Sequence, residues 1–253
     1  MAKNQLLDEY LKKLKLPTVA GQYERMTQEA IKNKIGHEEY LCSLTELEVR
    51  YREEKSQKAR LRNASFPAMK TLDSFDFAAA QYLNKALILE LYKGNYLNTG
   101  ENIVFMGSIG TGKTHLATSF GIEACRTGKR VKFCSIAGLI NELIEAQEHK
   151  RLSRLQQHLV RIDLLILDEL GMVPYDRDGA NMLFQVISAR HEFKPTIVTT
   201  NLEFKDWTQV FGSQQLTTAV LDRLTHRCHI VEMNGESYRF RDSLRKRKSK
   251  DVA

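Results

Sequence analysis

Residues 107–114 read GSIGTGKT and sit directly behind the apolar run NIVFM. A Gly-x-x-x-x-Gly-Lys-Thr spacing constrains the fold more than any other feature of the chain. Its glycines let the backbone curl so that successive N–H groups point inward, which makes an anion nest at a helix N-terminus. The pattern alone occurs by chance. Here a strand-like run precedes it and a helix-like run follows, and that context makes it a phosphate-binding loop. Gly107, Ser108, Ile109, Gly110, Thr111, Gly112, Lys113, Thr114 and His115 are therefore the candidate nucleotide-binding residues. Lys113 would reach the β- and γ-phosphates of ATP, and Thr114 would place its hydroxyl on Mg²⁺.

Three further stretches extend the constellation. LLILDE (164–169) is an apolar run ending in two carboxylates, which a strand would deliver to the ligand-binding edge of an open sheet. Asp168 is a candidate Mg²⁺ ligand with Thr114. Glu169 is positioned to orient or deprotonate an attacking water, so hydrolysis is the natural chemistry. Asn201 follows the run TIVTT and could hydrogen-bond both the γ-phosphate and that water; a turn-forming Asn is the rival reading. AVLDRLTHRC offers Arg223 and Arg227, expected one helical turn apart on one face, as cations for transition-state charge. Ion pairing with Asp222 or Glu232 is their structural alternative. An arginine acting from a neighbouring subunit would make activity depend on oligomerisation.

The rest of the chain supports an α/β fold. Residues 102–106, 131–135, 162–167, 196–200 and 229–233 read as short strands, separated by stretches of helical length. That order implies a mainly parallel sheet buried between helices. Residues 1–65 differ. Leu7, Leu11 and Leu14 recur at helical steps before Pro17, and Tyr40, Leu41, Leu44 and Leu47 begin a second helical segment. Residues 50–62 carry six basic side chains against Glu53 and Glu54, an exposed helix rather than a core one. Phe66 and Pro67 mark the boundary, giving a helical N-terminal domain (1–65), an ATPase domain (66–241) and a basic tail (242–253).

With 253 residues, 42% of them hydrophobic, the chain can bury one sizeable core and a small appended domain. Four scattered cysteines form no CxxC pair. His226, Cys228 and His229 lie close together without a second ligand cluster, which reads as packing. No signal peptide or membrane-length apolar run is evident, so a bacterial cytoplasmic location is expected. The net charge is +7, and residues 239–250 alone carry a balance of +6. Such a tail is either a solvated end or a contact for nucleic-acid phosphates.

GSIGTGKTHLA, LLILDE, TTN and the DRL of 222–224 together resemble an AAA+ ATPase of the initiator and helicase-loader group. SFDF before the loop, DGANMLFQVISARHE after the acidic strand, FKDW after Asn201 and GESYR near the end resemble the IstB family more closely. These are ATP-dependent helpers of a bacterial transposase, similar to DnaC helicase loaders. The resemblance covers residues 66–241 strongly and the N-terminal part more loosely.

It implies a P-loop AAA+ core with Walker A at Lys113 and Thr114, Walker B at Asp168 and Glu169, and sensor 1 at Asn201. The family's D-R-L places a trans-acting arginine at Arg223, whereas DnaA-like spacing points to Arg227. Arg239 is a candidate second sensor, with little chain left after it, so the C-terminal lid is reduced or absent. An extra helix facing the channel of the assembly falls at 136–161, where Lys150, Arg151 and Arg154 suit contact with a duplex backbone. The implied function is ATP-dependent homo-oligomerisation on duplex DNA in support of an IstA-type transposase, away from any membrane. A helicase loader, an ATP-gated scaffold and a small-molecule kinase are the competing readings.

Overall fold

A computed structural model of the chain describes residues 5–235 together with Ser237 and Tyr238. These residues form two compact units divided after Ala59. The first holds α1 (Gln5–Lys13), α2 (Pro17–Asn33) and most of α3 (His37–Asn63). Leu11, Val19 and Leu44 make its small core, with Leu7, Leu16, Tyr23, Met26 and Tyr40 packed around them. Leu14 lies beyond the end of α1 and is exposed, so the helical rhythm stops one residue short of it. Pro17 opens α2 rather than ending a helix, because a first-turn position needs no N–H donor.

The second unit is a five-stranded, wholly parallel sheet in the order β2-β3-β4-β1-β5. The strands are β1 (Asn102–Met106), β2 (Val131–Ser135), β3 (Leu164–Leu170), β4 (Thr196–Thr200) and β5 (Cys228–Glu232). Alternating side chains feed two cores. Ile103, Phe105, Leu164, Ile166 and Ile197 pack on one face with α4 (Lys85–Tyr92) and α6 (Lys113–Arg126). Val104, Leu165, Leu167 and Val198 pack on the other with α7 (Ile136–Glu148), α9 (Arg177–Arg190) and α11 (Gln214–Thr225). Short helices α5 (Tyr96–Thr99) and α10 (Thr208–Phe211) and the helix α8 (Leu152–Arg161) complete the unit. Both faces being covered explains why the strands read as continuous apolar runs.

Third in chain order, β3 departs from the expected 162–167. It starts two residues later and runs on through Leu170, so the two carboxylates lie within the strand. Leu167 pairs with Val198 but Leu170 pairs with Thr200, which leaves one extra residue on β3, a β-bulge. Glu169 occupies this irregularity with φ +64°, a left-handed conformation uncommon for a non-glycine residue.

Buried polar groups lace the N-terminal edge of the sheet. Arg190 is 1% exposed. Its guanidinium donates to the backbone carbonyls of Leu159, Ile162 and Pro195, joining the end of α8 to the starts of β3 and β4. Burial lowers its pKa to about 10, against the nearby Asp163 charge. Asn102 donates to Leu224 O and accepts from Thr196 N at 2.9 Å, tying β1 to α11 and β4.

Candidate active site

Period-2 alternation decides where Asp168 points. Leu164 and Ile166 face α6, so Asp168 continues on that face, at the C-terminal edge where α6 begins. There it meets Thr114, whose hydroxyl lies 3.0 and 3.1 Å from the two carboxylate oxygens. Thr199 on β4 completes the arrangement. Its hydroxyl donates to Asp168 Oδ1 at 2.5 Å and accepts from Glu169 N at 3.0 Å. One buried oxygen thus ties together Walker B, the bulge and the strand that leads to Asn201.

Regular alternation would send Glu169 into the apolar layer against α7 and α9. The bulge turns it out instead, and Glu169 is exposed while Asp168 is 5% exposed. Its side chain borders a cleft of about 450 Å³ shared with Thr114, Asp168, Cys134 and Ser135. Asn201 follows β4, the direct neighbour of β1, and Gly107 N donates to Thr200 O at 3.1 Å. A second cleft is bordered by Asn201, Gly107, Ser108 and Glu232. The sequence-derived set of Lys113, Thr114, Asp168, Glu169 and Asn201 is therefore gathered at one sheet edge.

The loop has the form its glycines require. Gly107 has φ +149°, and a Cβ there would sit 2.3 Å from Met233 O, so only glycine fits. Gly112 has φ +100°, and its missing Cβ leaves room for the ring edge of Phe75. Thr111 is buried and braces the loop by donating to Ser108 O at 2.8 Å. Ile109 at the tip is exposed. Lys113 Nζ crosses the loop and donates to the carbonyls of Gly107 and Ser108, each at 2.7 Å.

Beside the loop is a cavity of about 390 Å³ lined by Lys70, Phe75, Tyr82, His115 and Tyr238 among others. Tyr82 Oη donates to Thr111 O at 3.0 Å, and Tyr238 N donates to Gly110 O at 3.0 Å. His115 packs edge-on against Phe75 and donates from Nε2 to Thr71 O at 2.9 Å. Burial holds its pKa below the usual histidine value, opposed by that backbone bond. Phe75, Tyr82, Thr199 and Tyr238 are site residues that motif spacing does not identify. SFDF and GESYR were the available signals for Phe75 and Tyr238, the two residues that close on the loop from either side.

Two expectations need correction. Arg223 and Arg227 do not share a helical face. Helix α11 ends at Thr225, and Arg227 stands in the following turn with φ +57°, its carbonyl accepting from Asn102 N. Arg223 pairs with the neighbouring Asp222 at 2.9 Å. Both lie by the starts of β1 and β5, whereas the loop lies by their ends. The region 136–161 is likewise not one helix. Lys150 adopts φ +55°, and Arg151 N bonds Ala146 O, so α7 stops and α8 starts afresh. Lys150, Arg151 and Arg154 are exposed there, and the latter two share a shallow groove with Glu142 and Glu145. Arg239, the basic tail at 242–253 and the stretch that bears on a C-terminal lid lie outside the described residues.

A sequence family described as IstB-like ATP binding protein matches residues 9–246. A protein of insertion sequence IS5376 from Geobacillus stearothermophilus is 37% identical over 97% of this chain and 98% of its own length. A counterpart in insertion sequence IS21 from Pseudomonas aeruginosa is 35% identical over 93% of this chain and 89% of its own. Both names assign ATP binding to those proteins. Among solved structures, AMPPCP-bound DnaA from Aquifex aeolicus aligns with a TM-score of 0.58 at 22% identity. That alignment covers 73% of this chain and 56% of the DnaA chain. The DnaC helicase loader aligns at 0.51 and 21% identity, over 69% of this chain and 98% of DnaC. These likenesses bear on the fold, which is that of the P-loop AAA+ core. Among the described residues no helix is long and apolar enough to cross a membrane.

Proposed function

This chain belongs to the IstB-like ATP binding protein family, and from that membership we propose that it binds ATP with Mg²⁺, hydrolyses it, and assembles on duplex DNA as helper of an insertion-sequence transposase. One observation carries the catalytic half: the Thr114 hydroxyl meets the Asp168 carboxylate at the start of α6, with Glu169 open to the same cleft. A hydroxyl and a carboxylate are hard oxygen donors, the set that Mg²⁺ accepts beside phosphate oxygens.

When bound, Mg²⁺ supplies charge neutralisation to the β- and γ-phosphates. The loop N–H groups and the α6 N-terminus hold those phosphates, and Lys113 exchanges its carbonyl partners for phosphate oxygens. Glu169 orients a water and takes its proton as that oxygen bonds to the γ-phosphorus. The bond to the bridging oxygen breaks, leaving ADP and phosphate. Asn201 holds the γ-phosphoryl from the β4 side.

ATP acts between subunits, and hydrolysis releases or remodels the assembly. Lys150, Arg151 and Arg154 contact duplex phosphates, which gives affinity without sequence readout. The N-terminal helical unit serves self-association or transposase contact, in the bacterial cytoplasm. The DnaC-like fold favours one alternative, a helicase loader that binds single strands.

The deciding experiment measures binding to matched duplex and single-stranded DNA with ATP, with ADP and without nucleotide, following assembly size by light scattering at several salt concentrations. Large ATP-dependent complexes on duplex, absent for Lys113→Ala, are expected. Preference for single strands would instead support the loader. Removing the three basic side chains together should reduce the slope of log K against log salt by about 3, because each neutralised phosphate contributes roughly one unit to that slope.

A further inference from the structure

At the sheet edge opposite the phosphate loop, three side chains far apart in sequence converge. His191 follows α9, Glu192 is next to it, and His226 follows α11. Their ligand-capable atoms all lie within 4.8 Å of one another. The rings of His191 and His226 have centroids 5.2 Å apart, and His191 Nε2 is 3.6 Å from Glu192 Oε1. We propose that His191, Glu192 and His226 form a binding site for a divalent transition metal, best matched by Zn²⁺.

Four features carry this. Two imidazoles and a carboxylate are the donor set that borderline-soft Zn²⁺ takes, with a fourth position open to water. Tetrahedral bonds of about 2.0–2.1 Å place ligand atoms about 3.3 Å apart. The His191–Glu192 separation already approaches that, and the exposed His226 needs to close by about 1.5 Å at most.

His191 is also oriented for the task. Its Nδ1 lies 3.0 Å from Arg223 O, a carbonyl that can only accept, so Nδ1 carries a proton and Nε2, on the Glu192 side, is the nitrogen available to a metal. Hydrogen bonding of the second ring nitrogen to a carbonyl is how ligating histidines are commonly held. Finally, Glu192 is held in a left-handed conformation, φ +67°, with its carbonyl against Gly100, where an added Cβ would approach to 3.1 Å. The backbone that carries this carboxylate is thus held by packing rather than free in a loop.

His226, read from sequence with Cys228 and His229, lacked a second ligand cluster; the fold supplies it from the end of α9. His229 is occupied elsewhere, 3.1 Å from Glu101 Oε2. A metal bound here would clamp α9 to the turn that follows α11, the turn that holds Arg227. The site does not depend on the nucleotide chemistry proposed above.

The test uses the full-length, tag-free protein stripped by chelation. Zn²⁺ is titrated calorimetrically, and Co²⁺ is followed by its visible absorption. One saturable equivalent is expected, with tetrahedral Co²⁺ bands and no sulfur charge-transfer band. His226→Ala and Glu192→Gln should each weaken binding by about 100-fold or more, the upper end of losses seen even for outer-shell partners. His149→Ala, an exposed histidine elsewhere, should leave it unchanged. Both site variants alter exposed side chains, and unchanged far-ultraviolet circular dichroism checks their folding. Absence of saturable binding, a thiolate band, or equal affinity in His226→Ala and the unaltered protein would overturn the proposal.

Discussion

Thr199 shows how much chemistry can rest on one hydroxyl that no motif flags. It donates to Asp168 and accepts from the Glu169 amide, so replacing it with valine strips that strand amide of this acceptor and takes one of two donors from Asp168 Oδ1, which keeps the Thr114 hydroxyl. An unsatisfied buried group costs about 1–3 kcal/mol, equivalent to roughly 5- to 150-fold in rate if expressed in the transition state. Thr199→Val should therefore lower ATP turnover by about tenfold or more with a smaller change in KM, and Thr199→Ser should restore it. Equal losses for both variants in steady-state assays would assign Thr199 to packing alone. Lys113→Ala, which removes the cation that spans the loop, should abolish measurable nucleotide binding in a fluorescent-analogue titration.

Elements are joined by buried charges as well as by apolar faces. In the N-terminal unit Glu48 of α3 is 4% exposed and accepts from the Thr18 and Val19 amides, which are otherwise unsatisfied donors at the start of α2. Burial raises its pKa, but the Arg52 hydrogen bond and the two amides outweigh that, and the net shift is downward. A carboxyl with a depressed folded pKa stabilises fully above its unfolded value. That contribution is lost as pH falls from about 4.5 through the lower folded pKa. Glu48→Gln should destabilise the first unit by about 1 kcal/mol at pH 7, the usual scale for losing a cap. The difference from the unaltered protein should shrink on acidification, read from exchange of the Val19 amide.

Arg190 plays the corresponding part under the sheet. Arg190→Leu removes the donor for three buried carbonyls and should cost about 3 kcal/mol or more in urea denaturation, because each buried acceptor left unpaired costs about 1–3 kcal/mol. Neither role was legible beforehand. A glutamate within a charged helix and an arginine ending an amphipathic one look like surface residues until the partner elements are in place.

At the scale of the molecule, sheet topology bears on how the arginines could act. In a parallel sheet β1 runs from the Arg223–Arg227 end to the phosphate loop, about 16 Å for five residues. A side chain at its start cannot serve the site at its end, so the proposed role of either arginine in hydrolysis requires a neighbouring subunit's nucleotide. Lys113→Ala and Arg223→Ala proteins should each be inactive, yet their mixture should hydrolyse ATP faster than the two separately. Repeating the mixture with Arg227→Ala distinguishes the two positions. No gain with either arginine variant would remove both from catalysis.

Sequence alone determined the phosphate loop, four of the five strands to within a residue, the Walker B pair and the parallel α/β class. Those features are written in local spacing: glycines where the backbone must curl, apolar runs where both sheet faces are covered, and a period of two that aims Asp168 at α6. Tertiary structure decided what local spacing cannot encode. The bulge that turns Glu169 out of the apolar layer lets β3 stay paired with β4 while a carboxylate faces the cleft, a pairing that spacing along β3 does not reveal. The Thr199 bridge, the meeting of His191 with His226, and the closing of Phe75 and Tyr238 on the loop each join residues tens of positions apart. Their proximity follows from strand order and helix packing, and only the folded chain brings those together.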